Sequence, residues 1–157
     1  MLEIIKAGLP RMPREARWLI KCHPDYSPKE LKRGLGKGNW PERFDIYQGI
    51  LSEAFKGAGV VISSNSSAMV EAAAMGIPVI FLGRQTALNQ NVLEDVKSEL
   101  IRECFSADEL AVAVNQALAI TPEDDQRYKA LGEEILRRFF SPVTPETMQP
   151  FLGEDEV

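Results

Sequence analysis

GVVISSNSSAMVEAAAMGIPVIFLG, residues 59–83, sets two short apolar runs around a small Ala-rich segment. GVVIS is β-branched and apolar on both faces, as a central parallel strand should be. SAMVEAAAMG has the composition of a compact helix, with Gly76 placed to stop it. IPVIFL is a second fully apolar strand, and SNSS between strand and helix is polar punctuation. Strand, helix and strand in so short a span is the signature of a βαβ unit on a parallel sheet.

Upstream, FDIYQ (44–48) is strand-like. GILSEAFKGA (49–58) puts Ile50, Leu51, Ala54 and Phe55 on one helical face, with Gly57 able to end it. WLIKC (18–22) is a short apolar strand whose ladder Pro24 ends. The stretch 25–41, with Pro28, Gly34, Gly36 and Gly38, reads as a loop holding a helical turn over 28–33; Ser27 is its N-cap and Pro28 its first position. A helix over 2–7 stops at Gly8, and Pro10 and Pro13 mark a connector.

Downstream, GRQTALNQN (83–91) is a loop, 91–100 is irregular or helical, and LIRECF (100–105) is one more short strand. A capping box over Ser106 to Glu109 opens a helix over 107–119 with Leu110, Val114, Ala117 and Leu118 inward. Thr121-Pro122 opens a longer helix to about Phe140, and 145–152 forms a last short helix carrying Met148, Phe151 and Leu152. GEDEV (153–157) reads as a frayed tail. The expected class is α/β: a Rossmann-like three-layer α/β/α arrangement with a mostly parallel sheet. Residues 1–16 are expected to be linker and short helix, 17–141 the Rossmann-like domain, and 142–157 the C-terminal helix and tail.

Composition bounds the function. With 157 residues, 45% hydrophobic and 26% charged, the chain can bury one sizeable core. No run approaches the roughly 20 apolar residues of a membrane span, and the first residues lack a secretory signal, so a cytoplasmic protein is expected. One histidine excludes a multi-histidine metal site, and Cys22 and Cys104 have neither metal-ligand nor disulfide-framework spacing; both read as buried apolar residues. A net charge of -5 argues against nucleic acid as a partner. The charge is uneven: 21–43 carries six bases (Lys21, Lys29, Lys32, Arg33, Lys37, Arg43) against three acids, whereas 121–157 carries nine acids against four bases. A basic loop in an acidic protein suits a small phosphorylated ligand, or is a solvated surface without a ligand.

Ligands of open parallel sheets bind at the carboxyl ends of the strands. Three motifs fall there. Ser63-Ser64-Asn65-Ser66-Ser67 gathers hydroxyls and backbone N–H groups at a helix start, more donors than one cap needs, which points to phosphate. Neither a Gly-x-Gly-x-x-Gly nor a Walker pattern is present. Glu71 stands four residues after Ser67, on the same helical face and in an apolar setting; it can accept from ribose hydroxyls, or simply face solvent. Lys21-Cys22-His23-Pro24 ends the first strand, with Lys21 and His23 alternating onto one face; His23 can donate to a phosphate oxygen, or be an exposed histidine with no ligand.

Together, KCHP at a strand end, a βαβ unit ending SSNSSAMVEAAAMGIPVIFLG and the paired final helices resemble the C-terminal, donor-binding lobe of GT-B glycosyltransferases. The likeness covers roughly residues 18–118. It is nearest to the group with an HP motif and paired serines: bacterial sialyl-, polysialyl- and capsule Kdo transferases and polyol-phosphate polymerases. The resemblance implies a single GT-B half, with His23, Ser66 and Ser67 at the phosphate of a CMP- or CDP-linked donor and Ser64 beside them. It implies Glu71 at the ribose, Gly83 and Arg84 in a loop near the donor, and no tightly bound cofactor or metal. A UDP-linked donor is the alternative, since UDP-GlcNAc epimerases share this lobe. Retaining relatives carry a second glutamate eight positions before the ribose glutamate; here that position is Ser63, which favours inversion. The inverting general base belongs to an N-terminal, acceptor-binding lobe that these residues do not supply, so this chain reads as half of an active site, and any peripheral membrane association would belong to the full-length protein. An epimerase-like lobe and a non-catalytic nucleotide-binding module are the rival functions.

Overall fold

The computed structural model describes residues 1–23, 25–36 and 38–152. The ladder-ending Pro24, the basic-loop residue Lys37 and the tail 153–157 lie outside the described residues. The chain runs α1 (Leu2–Gly8), a 3-10 turn (Leu9–Arg11), β1 (Trp18–Lys21), α2 (Pro28–Gly34), β2 (Phe44–Tyr47), α3 (Leu51–Phe55) and β3 (Val61–Ser63). It continues through α4 (Ala68–Ala74), β4 (Val79–Leu82), β5 (Ile101–Cys104), α5 (Ala107–Leu118), α6 (Pro122–Phe139) and α7 (Pro145–Leu152). This is a mixed α/β fold with short, wholly parallel sheets, compatible with a Rossmann-like arrangement. β1 pairs with β2, and β3, β4 and β5 pair in that order.

β4 sits at the centre because all four of its side chains are apolar and buried. Ile80 and Leu82 join a cluster with Ile5 of α1, Trp18, Phe44, Cys104, Leu110 and Val114. Val79 and Phe81 join another with Phe55, Met69, Ala72, Ala73, Leu93, Leu100 and Ile135. Period-2 alternation thus sends neighbouring residues of one strand into two separate cores. Among the described residues no helix is long and apolar enough to cross a membrane.

Local signals were honoured where the chemistry is local. Ser27 and Thr121 each close a capping box, with Glu30 and Asp124, and open α2 and α6 with Pro at the first position. Gly76 ends α4 at φ +78°; its N–H donates to the Ala73 carbonyl and the Ile77 N–H to the Ala72 carbonyl, the two bonds of a Schellman end.

Several expectations are corrected. Gly8 does not stop its helix but continues into the 3-10 turn; a Cβ there would meet Met12 Cε at 2.7 Å and the Ala107 carbonyl oxygen at 3.1 Å, so it serves the packing of α1 on α5. Ile50 is the N-cap residue before α3, in extended backbone and off the helical face, and is 72% exposed. Leu118 at the end of α5 is 39% exposed, the inner face being Leu110, Ala111, Ala113, Val114 and Ala117. At Ser106 only half of the capping box forms: the hydroxyl accepts from the Glu109 N–H, while the Glu109 carboxylate reaches past to the Phe105 N–H at 2.6 Å. β3 is half-buried and pairs with β4 alone among the described residues, so it is not a strand paired on both edges. Cys22 is half-buried, and only Cys104 is buried. Of the two readings of residues 91–100 the irregular one holds: they form turns without a helix. Arg43, one of the six bases counted in 21–43, donates to the backbone carbonyls of Ala16, Leu9 and Pro13 and so ties the connector to β2.

Candidate functional site

β3 ends at Ser63, and the chain turns through Ser64-Asn65-Ser66-Ser67 into α4. Ser66 does the capping: its hydroxyl accepts the Ala68 N–H at 3.2 Å and its carbonyl the Met69 N–H at 3.1 Å. The Ser67 carbonyl takes the N–H groups of Val70 and Glu71. The first-turn amides of α4 are therefore satisfied internally, contrary to the expectation that they stand open. The donors left are those of the turn. The hydroxyls of Ser64 and Ser67 and the N–H groups of Ser66 and Ser67 make no hydrogen bond with the described residues. The surplus of serines over capping need thus has a structural counterpart.

The turn is clasped from outside. Asn65 Nδ2 donates to Gln90 Oε1 at 3.1 Å, which ties it to the loop after β4. That loop is held at its start by Asn89, whose Oδ1 accepts the Arg84 N–H at 2.8 Å and whose Nδ2 donates to the Arg84 carbonyl at 2.9 Å. At its end Asn91 donates to Glu103 of β5 at 2.6 Å. Gly83 is required at the strand exit, since a Cβ would lie 2.5 Å from the Phe105 ring and 3.0 Å from Asn89 Oδ1. Between turn, loop and α1 lies a cavity of about 200 Å³ walled by Met1, Ile4, Ser64, Leu82, Gly83, Arg84 and nearby loop residues. Among the described residues no carboxylate lines it, and Arg84 makes no ion pair with any of them.

The structure therefore brings Ser64, Gly83 and Arg84 to one cavity. Ser66 and Ser67 sit on the adjoining turn without lining it. Glu71 lies one helical turn beyond Ser67, its N–H bonded to the Ser67 carbonyl at 3.3 Å, as the spacing required. It is exposed, so the cost of burying an idle carboxylate, inferred from its alanine neighbours, does not arise. His23 follows β1 with its side chain 66% exposed. Its partners are Asp25 and Tyr26: Nδ1 accepts the Asp25 N–H at 3.3 Å and stands 3.2 Å from the Asp25 carboxylate, and the ring meets Tyr26 edge-on. Nε2 makes no hydrogen bond with a described residue.

Sequence reading missed Asn89 and Ile4. Asn89 was detectable in kind, because an Asn inside a loop commonly uses its amide to close the backbone on itself. Ile4 gave no signal, since only the tertiary fold brings α1 to the end of β4. No family model, curated protein or solved structure matches the chain.

Proposed function

We propose that this chain is the donor-binding half of a glycosyltransferase of the GT-B type, inverting, taking a CMP- or CDP-linked sugar in the synthesis of surface or capsular polysaccharide. The observation that carries the reading is the serine turn: two hydroxyls and two amides without partners among the described residues at the carboxyl end of a parallel strand, next to a cavity that holds Arg84 and no carboxylate of a described residue. Such donors favour a phosphate group. The separate cores on the two faces of β4 support a three-layer sandwich. A sheet order β2-β1-β3-β4-β5 would join the two sheets and put the ends of β1 and β3, with His23 and the serine turn, at a topological switch point.

In this reading the turn and His23 neutralise the charge that grows on the departing phosphate, each donor contributing a few kcal/mol, on the order of 3. Glu71 accepts from the ribose hydroxyls, and Gly83 and Arg84 flank the donor. The general base and the acceptor come from the other half of the enzyme. One observation favours the second reading, a nucleotide-binding module without catalysis: His23 is engaged by Asp25 and does not line the cavity. A thermal-shift panel of CMP, CDP, UDP, GDP and ADP with the wild type, Ser67→Ala and His23→Ala tests the proposal. Stabilisation by the cytidine nucleotides that both variants reduce is expected. Equal effects of CDP and ADP would remove the cytidine assignment, and loss in Ser67→Ala but not His23→Ala would favour the second reading.

A further inference from the structure

The cavity beside the serine turn has a mixed lining. Ser64 and Arg84 are polar lining residues whose side chains make no hydrogen bond with a described residue, while the Asn89 amide is already spent on the Arg84 backbone. Ile4, Leu82 and Leu88 are apolar lining residues. Leu82 is buried strand, but Leu88 is fully exposed at the loop, and Ile4 belongs to α1, the short helix in the stretch read as linker and short helix. Ile4 is half-buried against the core that holds Ile5 and Met12, so α1 is fixed in place and presents a set surface.

We infer that Ile4 is a specificity-determining wall of the ligand site, selecting an amphiphilic anion: a phosphate ester whose organic group packs on Ile4, Leu82 and Leu88 while its phosphate meets Ser64 and Arg84. The inference rests on the donor-site reading above and adds an element to it, α1. An anion without an organic group has nothing to place on the apolar residues, so the wall discriminates between phosphate and its esters. Burial of a few ligand carbons against Ile4 corresponds to about a five- to tenfold gain in affinity.

The test is a methyl and amide NMR titration of the full chain with CMP and, separately, with inorganic phosphate. CMP is expected to shift the Ile4 δ1 methyl together with the Ser64 amide, and phosphate to shift Ser64 but not the methyl. Ile4→Ala is expected to weaken CMP five- to tenfold and leave phosphate unchanged, and the milder Ile4→Val to weaken it less; a thermal melt on each variant reports folding. CMP shifts at Ser64 to Ser67 with a silent Ile4 methyl would overturn the wall while leaving the donor reading intact. Absence of any response to CMP at Ser64 to Ser67 and at Ile4 would overturn both.

Discussion

A methyl group at Gly132 would lie 2.6 Å from the Gly76 nitrogen and 2.9 Å from the Ala73 carbonyl oxygen. These are backbone atoms at the Schellman end of α4, so they cannot swing aside. Alanine in a helix interior gains about 1 kcal/mol over glycine, but a clash against immovable atoms costs about 3 kcal/mol. Gly132→Ala should therefore lose about 2 kcal/mol, a fall of roughly 4–8 °C in thermal midpoint for a chain of this size. Gly34, in a helix with nothing within 4 Å of its would-be Cβ, is the control: Gly34→Ala should hold or raise the midpoint. The cysteines separate in the same way. Burial, with Glu109 adding to it, pushes the Cys104 thiol up to about 11, so it stays protonated at neutral pH. Iodoacetamide at pH 8 should label half-buried Cys22 in the native protein and Cys104 only after unfolding, a result mass spectrometry of the peptides would read. At this scale the sequence was legible where a role is local: Gly76 declares a helix end by its position after an Ala-rich run. Gly132 does not declare its own role, because the atoms that forbid a side chain lie more than fifty residues away.

Helix starts were legible for the same reason. Ser27 before Pro28 and Thr121 before Pro122 announce α2 and α6, and the structure adds a reciprocal carboxylate at each, Glu30 and Asp124, while the capping box read at Ser106 forms only in half. The Thr121 backbone N–H, then its hydroxyl, hold the Asp124 carboxyl below its ordinary range; the Ser27 hydroxyl, then its N–H, do the same for Glu30. A carboxyl with a depressed folded pKa adds stability that is complete above its unfolded value and is lost as pH falls through the folded one. The thermal midpoint of the wild type should thus fall between pH 5 and pH 2 more steeply than that of Asp124→Asn, and equal slopes would show that this cap does not titrate as described. Less legible were elements whose surroundings matter. An apolar run reads alike whether a strand is paired on one edge, as β3 is, or on two. Ile50 has helical spacing, yet α3 begins after it.

Across the whole molecule the decisive feature is β4, whose alternate residues feed two cores and whose exit at Gly83 opens onto the cavity. Gly83 and Arg84 were placed near the serine turn only by the family resemblance, whereas the parallel pairing and the strand-end position of that turn were readable from the βαβ pattern. The approach of α1 was not, nor was the engagement of His23 by Asp25, since both depend on how loops close. The function proposed here depends on donors at the serine turn that no described residue uses. A titration of the ¹⁵N-labelled chain with CDP addresses them directly. The amide resonances of Ser66 and Ser67 should move together and saturate with one dissociation constant, while those of α6 and α7 stay still. Shifts confined to other surfaces, with those two amides unmoved at saturating CDP, would contradict the account.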